Sequence, residues 1–265
     1  GRRVAGRLPG RTWRGGDVRR TAKSAFVPLA DLSAKPAFAA DFPALWDPRG
    51  CLYNPAAMPS QRTETLSASP PLFQSRFLDF FSRVHPAIPA VVFVPVVVAC
   101  IALGIQHGVS VAGTIGLFVA GLLIWTLTEY WLHRLVFHWE PDHPLGSRLH
   151  FIMHGVHHDH PNDRLRLVMP PAVSIPLALL FMLAFYLVLG APTYLPAFAG
   201  FILGYLGYDY THYYLHHRVP KTKMGKHLRE QHMRHHFQDH RFGYGVSSPL
   251  WDHVFRTVPK RRSAD

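Results

Sequence analysis

The alternation of apolar and polar positions divides the chain into a polar start, one short amphipathic stretch, and two long apolar blocks. Polar, histidine-bearing segments follow each block. Four apolar runs lie at roughly 86–106, 111–132, 171–190 and 193–211. Each approaches the ~20 residues that cross ~30 Å of hydrocarbon as a helix. Their only charged residues are Glu129 and Asp209, near the ends of the second and fourth. Buried helices of a soluble bundle are the alternative reading. The connections at 106–110 and 190–192 are short, so the runs are expected to pair as two helical hairpins, with kinks at Pro95, Pro176 and Pro196.

Residues 71–84 set Leu72, Phe73, Phe77, Phe80, Phe81 and Val84 against Gln74, Arg76, Asp79 and Arg83. That pattern predicts an amphipathic helix, lying in a membrane interface or docked on the protein's own surface. Residues 1–57 are rich in Arg, Gly, Ala and Pro, carry ten basic and four acidic residues, and show no helical period. They are expected to be disordered. Because the first methionine is Met58, we read 1–57 as an upstream extension, with an organelle presequence as the alternative. The expected organisation is therefore an extension at 1–57, an interfacial segment at 58–84 and a transmembrane catalytic domain at 85–265.

A formal charge of +12 suggests a polyanion partner until the basic residues are located. Of the 28, 13 lie in residues 1–84, four in 134–166 and 11 in 218–262, with none in the apolar blocks. That is the positive-inside distribution of a membrane protein whose two blocks each cross and return. It argues against nucleic acid and places the segments after each block on the cytosolic side, in a bacterial inner membrane or the endoplasmic reticulum. Lys221, Lys223, Lys226 and Arg229 form a candidate patch there for anionic headgroups or an acidic electron donor. Cys51 and Cys100 are too few and too far apart for a disulfide framework or a thiolate zinc site.

Histidine carries the chemistry. Ten of the 19 fall in four clusters: His133 and His138; His154, His157 and His158; His212 and His216; His232, His235 and His236. Three clusters use offsets of three and four, which align imidazoles on one helix face. His133 and His138 are five apart, about 140° around an ideal helix; that pair needs a helix end, a local bulge or two different metals. So many imidazoles gathered with few carboxylates need a cation among them. One ion takes about four to six ligands, so ten histidines suit two ions. His150 could share the face of His154, whereas His143, His160, His217, His227, His240 and His253 lack comparable pairing.

Imidazole ligation suits iron, zinc, copper or nickel. A zinc pair would activate water for hydrolysis, whereas an iron pair would use dioxygen on an unactivated C–H bond. A site at the membrane boundary favours the second, since a hydrocarbon substrate reaches it from the bilayer. Two readings of other classes compete. A haem electron-transfer protein places paired ligands deep in facing spans, and a metal transporter or sensor places polar ligands at mid-membrane.

The order HxxxxH, HxxHH, HxxxH, HxxHH resembles the fatty acid hydroxylase and sterol desaturase superfamily. The text around it, in particular Arg166-Leu-Val-Met-Pro-Pro171, Tyr208-Asp209-Tyr-Thr-His212 and Phe242-Gly-Tyr-Gly245 through Phe255, is similar to the fatty acid 2-hydroxylase branch. The resemblance spans about residues 72–259. It implies an all-α integral membrane protein, with four transmembrane helices in two hairpins and a cytosolic helical cap holding a dimetal centre. The implied ligands are the ten clustered histidines. Iron is the expected metal, zinc having also been seen in the family, and dioxygen is the co-substrate. The implied reaction is hydroxylation of a lipid acyl chain at the carbon next to the carboxyl group, in a fatty acid or sphingolipid; a sterol or carotenoid is the alternative substrate. The family also implies electrons from NAD(P)H through cytochrome b5 and its reductase. Residues 1–57 contain no histidine for a haem, so a separate cytochrome b5, ferredoxin or flavoprotein reductase is expected. Glu129, four before His133, and Asp209, three before His212, are candidates to accept a ligand imidazole N–H and orient it. Gly243-Tyr-Gly245 reads as a turn rather than a phosphate loop.

Overall fold

Apolar runs with at most one acidic residue form the four longest helices. The computed structural model describes residues 60–260, which are helical or irregular with no strand among them; the extension expected at 1–57 lies outside the described residues. In order the helices are α1 (Ser60–Leu66), α2 (Arg76–Phe81), α3 (Ile88–Gln106), α4 (Val111–Trp131), α5 (Pro144–His150), α6 (Val156–Asp159), α7 (Pro171–Leu189), α8 (Tyr194–His217), α9 (Lys223–Phe237) and α10 (Leu250–Val254). Two π-helical turns, Leu132–Phe137 and Phe151–Gly155, continue α4 and α5.

α3, α4 with its π turn, and α7 are each long and apolar enough to cross a membrane. Their outer faces carry apolar side chains such as Val91, Ile115 and Leu187, the last 71% exposed. A soluble bundle would have turned polar residues there. Gly108, at φ 95°, turns α3 into α4, whose first turn is capped by Ser110 accepting from Gly113 N at 3.1 Å. Gly190, at φ 69°, ends α7 just before α8. Both turns are as short as the pattern predicts. Pro95 and Pro176 lie inside α3 and α7. Pro196, in contrast, occupies the first turn of α8, where a missing N–H leaves no bond unmade.

α8 differs from the other three. It is 24 residues long but is not among the helices apolar enough to span, since glycine, tyrosine, aspartate and histidine dilute its apolar content. α4, α3 and α7 all pack on it, and Phe201 and Ile202 are 1% exposed. Aromatic edges fill the seam: Trp125 lies 5.1 Å from Phe201 and 5.5 Å from Tyr205, and Phe93 is 5.4 Å from Tyr205, centroid to centroid. Close approach of α4 and α8 comes from glycine. A Cβ on Gly121 would collide with the Ala197 carbonyl, one on Gly200 with the Phe118 carbonyl, and one on Gly204 with the Trp125 ring. Hydrocarbon solvates apolar side chains as well as a core does, so packing of this kind has to hold the helices together.

α2 reverses the usual amphipathic arrangement. Phe77 and Phe80 are each 71% exposed, while the acidic Asp79 is buried. Asp79 accepts from Leu72 N at 2.7 Å, pairs with Arg83, and meets Arg166 Nη2 at 3.3 Å. Val84 N also donates to Leu165 O at 2.6 Å. This short segment is thus tied to the loop before α7, with its aromatic face turned outward. Burial alone would raise the Asp79 pKa, but the Leu72 N–H, Arg83 and Arg166 outweigh it and hold the value below normal.

Two outcomes are expected. Gly121→Val or Gly200→Val forces α4 off α8 at an overpacking cost of about 1–3 kcal/mol. Thermal unfolding in detergent should shift down by several degrees, whereas Gly116→Val, which meets open space, should leave the midpoint in place. The depressed Asp79 carboxyl contributes stability above its unfolded value of about 3.9, and the contribution disappears as pH falls through the lower folded value. Hydrogen exchange at the Leu72 and Val84 amides should therefore accelerate in Asp79→Asn at neutral pH, and in the wild type only under strong acid, with α8 amides unaffected.

Candidate metal centre

The five-residue offset of the first cluster is resolved by local backbone geometry. Leu132–Phe137 is a π turn, and its i→i+5 bond runs from His138 N to His133 O at 3.2 Å. An i→i+5 turn stacks residues five apart. The rings of His133 and His138 accordingly face one centre, their Nε2 atoms 3.2 Å apart. The second π turn, Phe151–Gly155, contains His154 and leads into α6 with His157 and His158. α8 carries His212 and His216 over its last two turns, and α9 carries His232, His235 and His236 over its own.

All ten sequence-predicted ligands come together, in two groups of five. The first group is His133, His138, His154, His158 and His235; the second is His157, His212, His216, His232 and His236. Within each group the candidate ligand nitrogens lie within 4.8 Å of one another. Clusters two and four are each divided between the groups, so neighbours His157 and His158, and likewise His235 and His236, face different centres. Adjacent nitrogens are 2.8–3.2 Å apart, as in His138 Nε2 to His235 Nε2 at 3.0 Å and His216 Nε2 to His232 Nε2 at 2.8 Å. Donors about 2.1 Å from one ion and at right angles have about that separation.

Electrostatics agrees with a cation. Burial, followed by neighbouring imidazoles, holds His154, His157, His158, His232 and His236 well below the usual histidine pKa. His235 is lowered in the same way. At neutral pH these rings are uncharged and offer lone pairs. Buried nitrogens of His157, His212 and His236 have no hydrogen-bond partner among the described residues, a costly state unless a metal takes the lone pair. The donor set therefore fits one ion per group, and nitrogen donors alone suit a first-row transition metal.

The two carboxylates expected to orient ligands are directed elsewhere. Glu129 Oε1 accepts from Val246 N at 2.7 Å and Ser247 N at 2.8 Å, and Oε2 from the Ser247 hydroxyl. Asp209 accepts from Met169 N at 3.3 Å and the Tyr205 hydroxyl at 3.2 Å, fixing the Arg166–Pro171 run against α8. The acceptors that do reach ligand rings are backbone carbonyls: His133 Nδ1 meets Tyr244 O at 2.7 Å, and His235 Nδ1 meets Phe242 O at 2.8 Å. Sequence reasoning missed these, and missed Asp252, which is fully buried and accepts from Tyr244 N and Gly245 N. The glycines at 243 and 245, two residues apart in a turn, were the available signal.

Histidines outside the clusters occupy outer positions. His240 stacks on His138 with centroids 5.7 Å apart, His150 lies 6.5 Å from His138 and 3.9 Å from Glu140, and His160 bonds Thr65 O. His217 packs on Tyr213 and His227 bonds Gln231. Lys221, Lys223 and Lys226 are exposed, and Arg229 is half-buried with its Nε on Leu215 O.

Residues 118–257 match the fatty acid hydroxylase family. A dihydroceramide fatty acyl 2-hydroxylase of Arabidopsis thaliana is 42% identical over 73% of this chain and 82% of the relative. A second from the same plant is 45% identical over 74% of this chain and 82% of the relative. The fatty acid 2-hydroxylase of Homo sapiens is 42% identical over 54% of this chain and 39% of the relative. A solved structure of full-length scs7p, in which only the hydroxylase domain is visible, matches with a TM-score of 0.67 at 33% identity, covering 71% of this chain and 72% of that one. By this combination of matched region, identity to relatives over most of their length and shared fold, the chain belongs to the fatty acid hydroxylase family.

Proposed function

We propose that this protein is a membrane-embedded, dioxygen-dependent hydroxylase that places an oxygen at C2 of a lipid acyl chain, in a fatty acid or the fatty acyl group of a sphingolipid. The observation that carries the reading is the pair of five-imidazole groups, joined to the membrane-capable α4 through His133 in its π turn, in a chain of this family. His133, His138, His154, His158 and His235 would hold one ion, and His157, His212, His216, His232 and His236 the other. Iron is the working metal in this proposal, with zinc a substitute that binds without redox chemistry. Iron held there would supply the redox chemistry that activates dioxygen, passing on electrons received from the reductant. In balance, the C2–H bond becomes C2–OH, the second oxygen atom leaves as water, and two electrons and two protons enter. The electrons come from NAD(P)H through a separate cytochrome b5, ferredoxin or flavoprotein reductase.

The protein's own residues supply position and dryness. α8 brings His212 and His216 up from the core, and π turns aim His133 and His154. The seam around Trp125, Phe201 and Tyr205 seals the bundle below the centre. α3, α4, α7 and α8 form two hairpins of four spans in this reading, with α8 crossing while shielded by its three neighbours. The histidine groups then lie on the cytosolic side, in an endoplasmic reticulum or bacterial inner membrane, as the basic residues favour. Phe77, Phe80 and Phe81 sit in the interface. Within residues 58–84, this segment docks on the hydroxylase domain at 85–265.

Lipid mass spectrometry of cells producing the chain should show a gain of one oxygen at the acyl 2-position, and unchanged acyl chains would sink the proposal. Purified protein should carry two metal equivalents. His157→Ala or His154→Ala should remove about one and lower product by at least about 100-fold, since lesser changes outside the ligand set already cost 10–100-fold.

A further inference from the structure

The two histidine groups have unequal support. Around the first, residues 242–248 form a tight collar between α9 and α10. Its Phe242 and Tyr244 carbonyls accept from the outer nitrogens of His235 and His133. The Tyr244 ring packs edge-on against His133, His138 and His235 at 5.7–5.9 Å. Two buried carboxylates fix the collar's backbone. Asp252 takes Tyr244 N at 3.0 Å and Gly245 N at 2.8 Å, and Glu129 takes the next two amides, Val246 N and Ser247 N. Four consecutive N–H groups are thereby held, which leaves the carbonyls little freedom to turn. Thr257 braces Asp252, donating from its hydroxyl to Oδ1 at 2.8 Å, while its carbonyl accepts from Gly243 N at 2.8 Å.

The backbone lies too close to its surroundings for a side chain at two positions. Gly243 is at φ 80°, and a Cβ there would meet Pro259 Cγ at 2.6 Å. A Cβ on Gly245 would run into the Ser248 carbonyl and lie 2.9 Å from Asp252 Oδ2. The second group has no counterpart for two of its histidines: the Nδ1 atoms of His232 and His236 are buried and meet no acceptor among the described residues, whereas in the first group His138 Nδ1 is the one such atom among them.

We propose that the collar at 242–248, locked by Asp252, is an orienting device for the first metal position only, so that the two ions are held with different kinetic stability. Asp252 is a positioning residue that acts on the Tyr244 carbonyl through Gly245 N, and on the Phe242 carbonyl through Thr257, which takes Gly243 N. By keeping the outer N–H groups of His133 and His235 engaged, it pins ring orientation and raises ligand basicity. The inference rests on each group holding one ion.

The test is metal release to a competing chelator, followed in the full chain in detergent after loading with Zn²⁺, a readout independent of turnover. His216→Ala isolates the ion of the first group and His154→Ala that of the second. Asp252→Ala should speed release at least about tenfold in the His216→Ala background and leave it unchanged in the His154→Ala background. Asp252→Asn, which keeps one acceptor for the amides, should fall between. Equal acceleration in both backgrounds would mean that Asp252 only stabilises the fold, and no acceleration in either would mean that the collar does not orient the site; both overturn the proposal. If Asp252→Ala does not fold, Thr257→Val, which removes one bond to Asp252 and one to the Tyr130 hydroxyl, should show the same selectivity at smaller size, and its absence counts equally against. A wild-type chain that takes up fewer than two equivalents would instead refute the underlying two-ion reading.

Discussion

Ten uncharged imidazoles converge in a volume where none can be protonated without meeting another. Seven are buried and three half-buried, so their nitrogens must find a hydrogen-bond partner or a cation, and among the described residues neither group contains a carboxylate to supply a counter-charge. That requirement shapes the molecule around it. Helices must deliver rings from four separate segments to within a few ångströms, which tolerates little play in the bundle below. A membrane environment makes this harder, because apolar side chains gain nothing by leaving hydrocarbon for a protein core.

α8 meets the requirement by being inside the bundle. Its glycines let α4 come into backbone contact, and α3 and α7 cover the remaining faces. The helix that brings His212 and His216 to the second group is therefore the most enclosed of the four long ones. Asp209, one turn before His212, ties the same helix to Met169 in the segment entering α7. Glu129, one turn before His133, does the corresponding thing for α4 and the collar. Each carboxylate thus acts one link away from the ligand it precedes, joining a helix end to a loop rather than touching a ring.

Much of this was legible. Apolar runs with at most one charged residue mark α3, α4 and α7 outright, and short glycine-bearing connections mark the turns between helices. Spacings of three and four, from His154 into α6 and along α8 and α9, mark the candidate ligand residues. Other features were less accessible. α8 reads as one more apolar run because burial by protein and burial by lipid select similar residues, although the Gly200-x-x-x-Gly204 spacing pointed to close packing. The orienting acceptors were hidden because every residue has a carbonyl, so Phe242 and Tyr244 carry no compositional mark of that role.

Sequence alone marked which residues are candidate donors, that they occupy four segments ending or following the apolar runs, and that His133 and His138, five apart, do not share one face of a regular helix. These follow from local periodicity, which neighbours in the chain impose on one another. Tertiary structure decided how the ten divide into two fives, which turn orients which ring, and that His157 and His158 face different centres. Such choices depend on how helix ends from distant parts of the chain meet in space, and a helical period specifies a direction around one axis without specifying what lies opposite it.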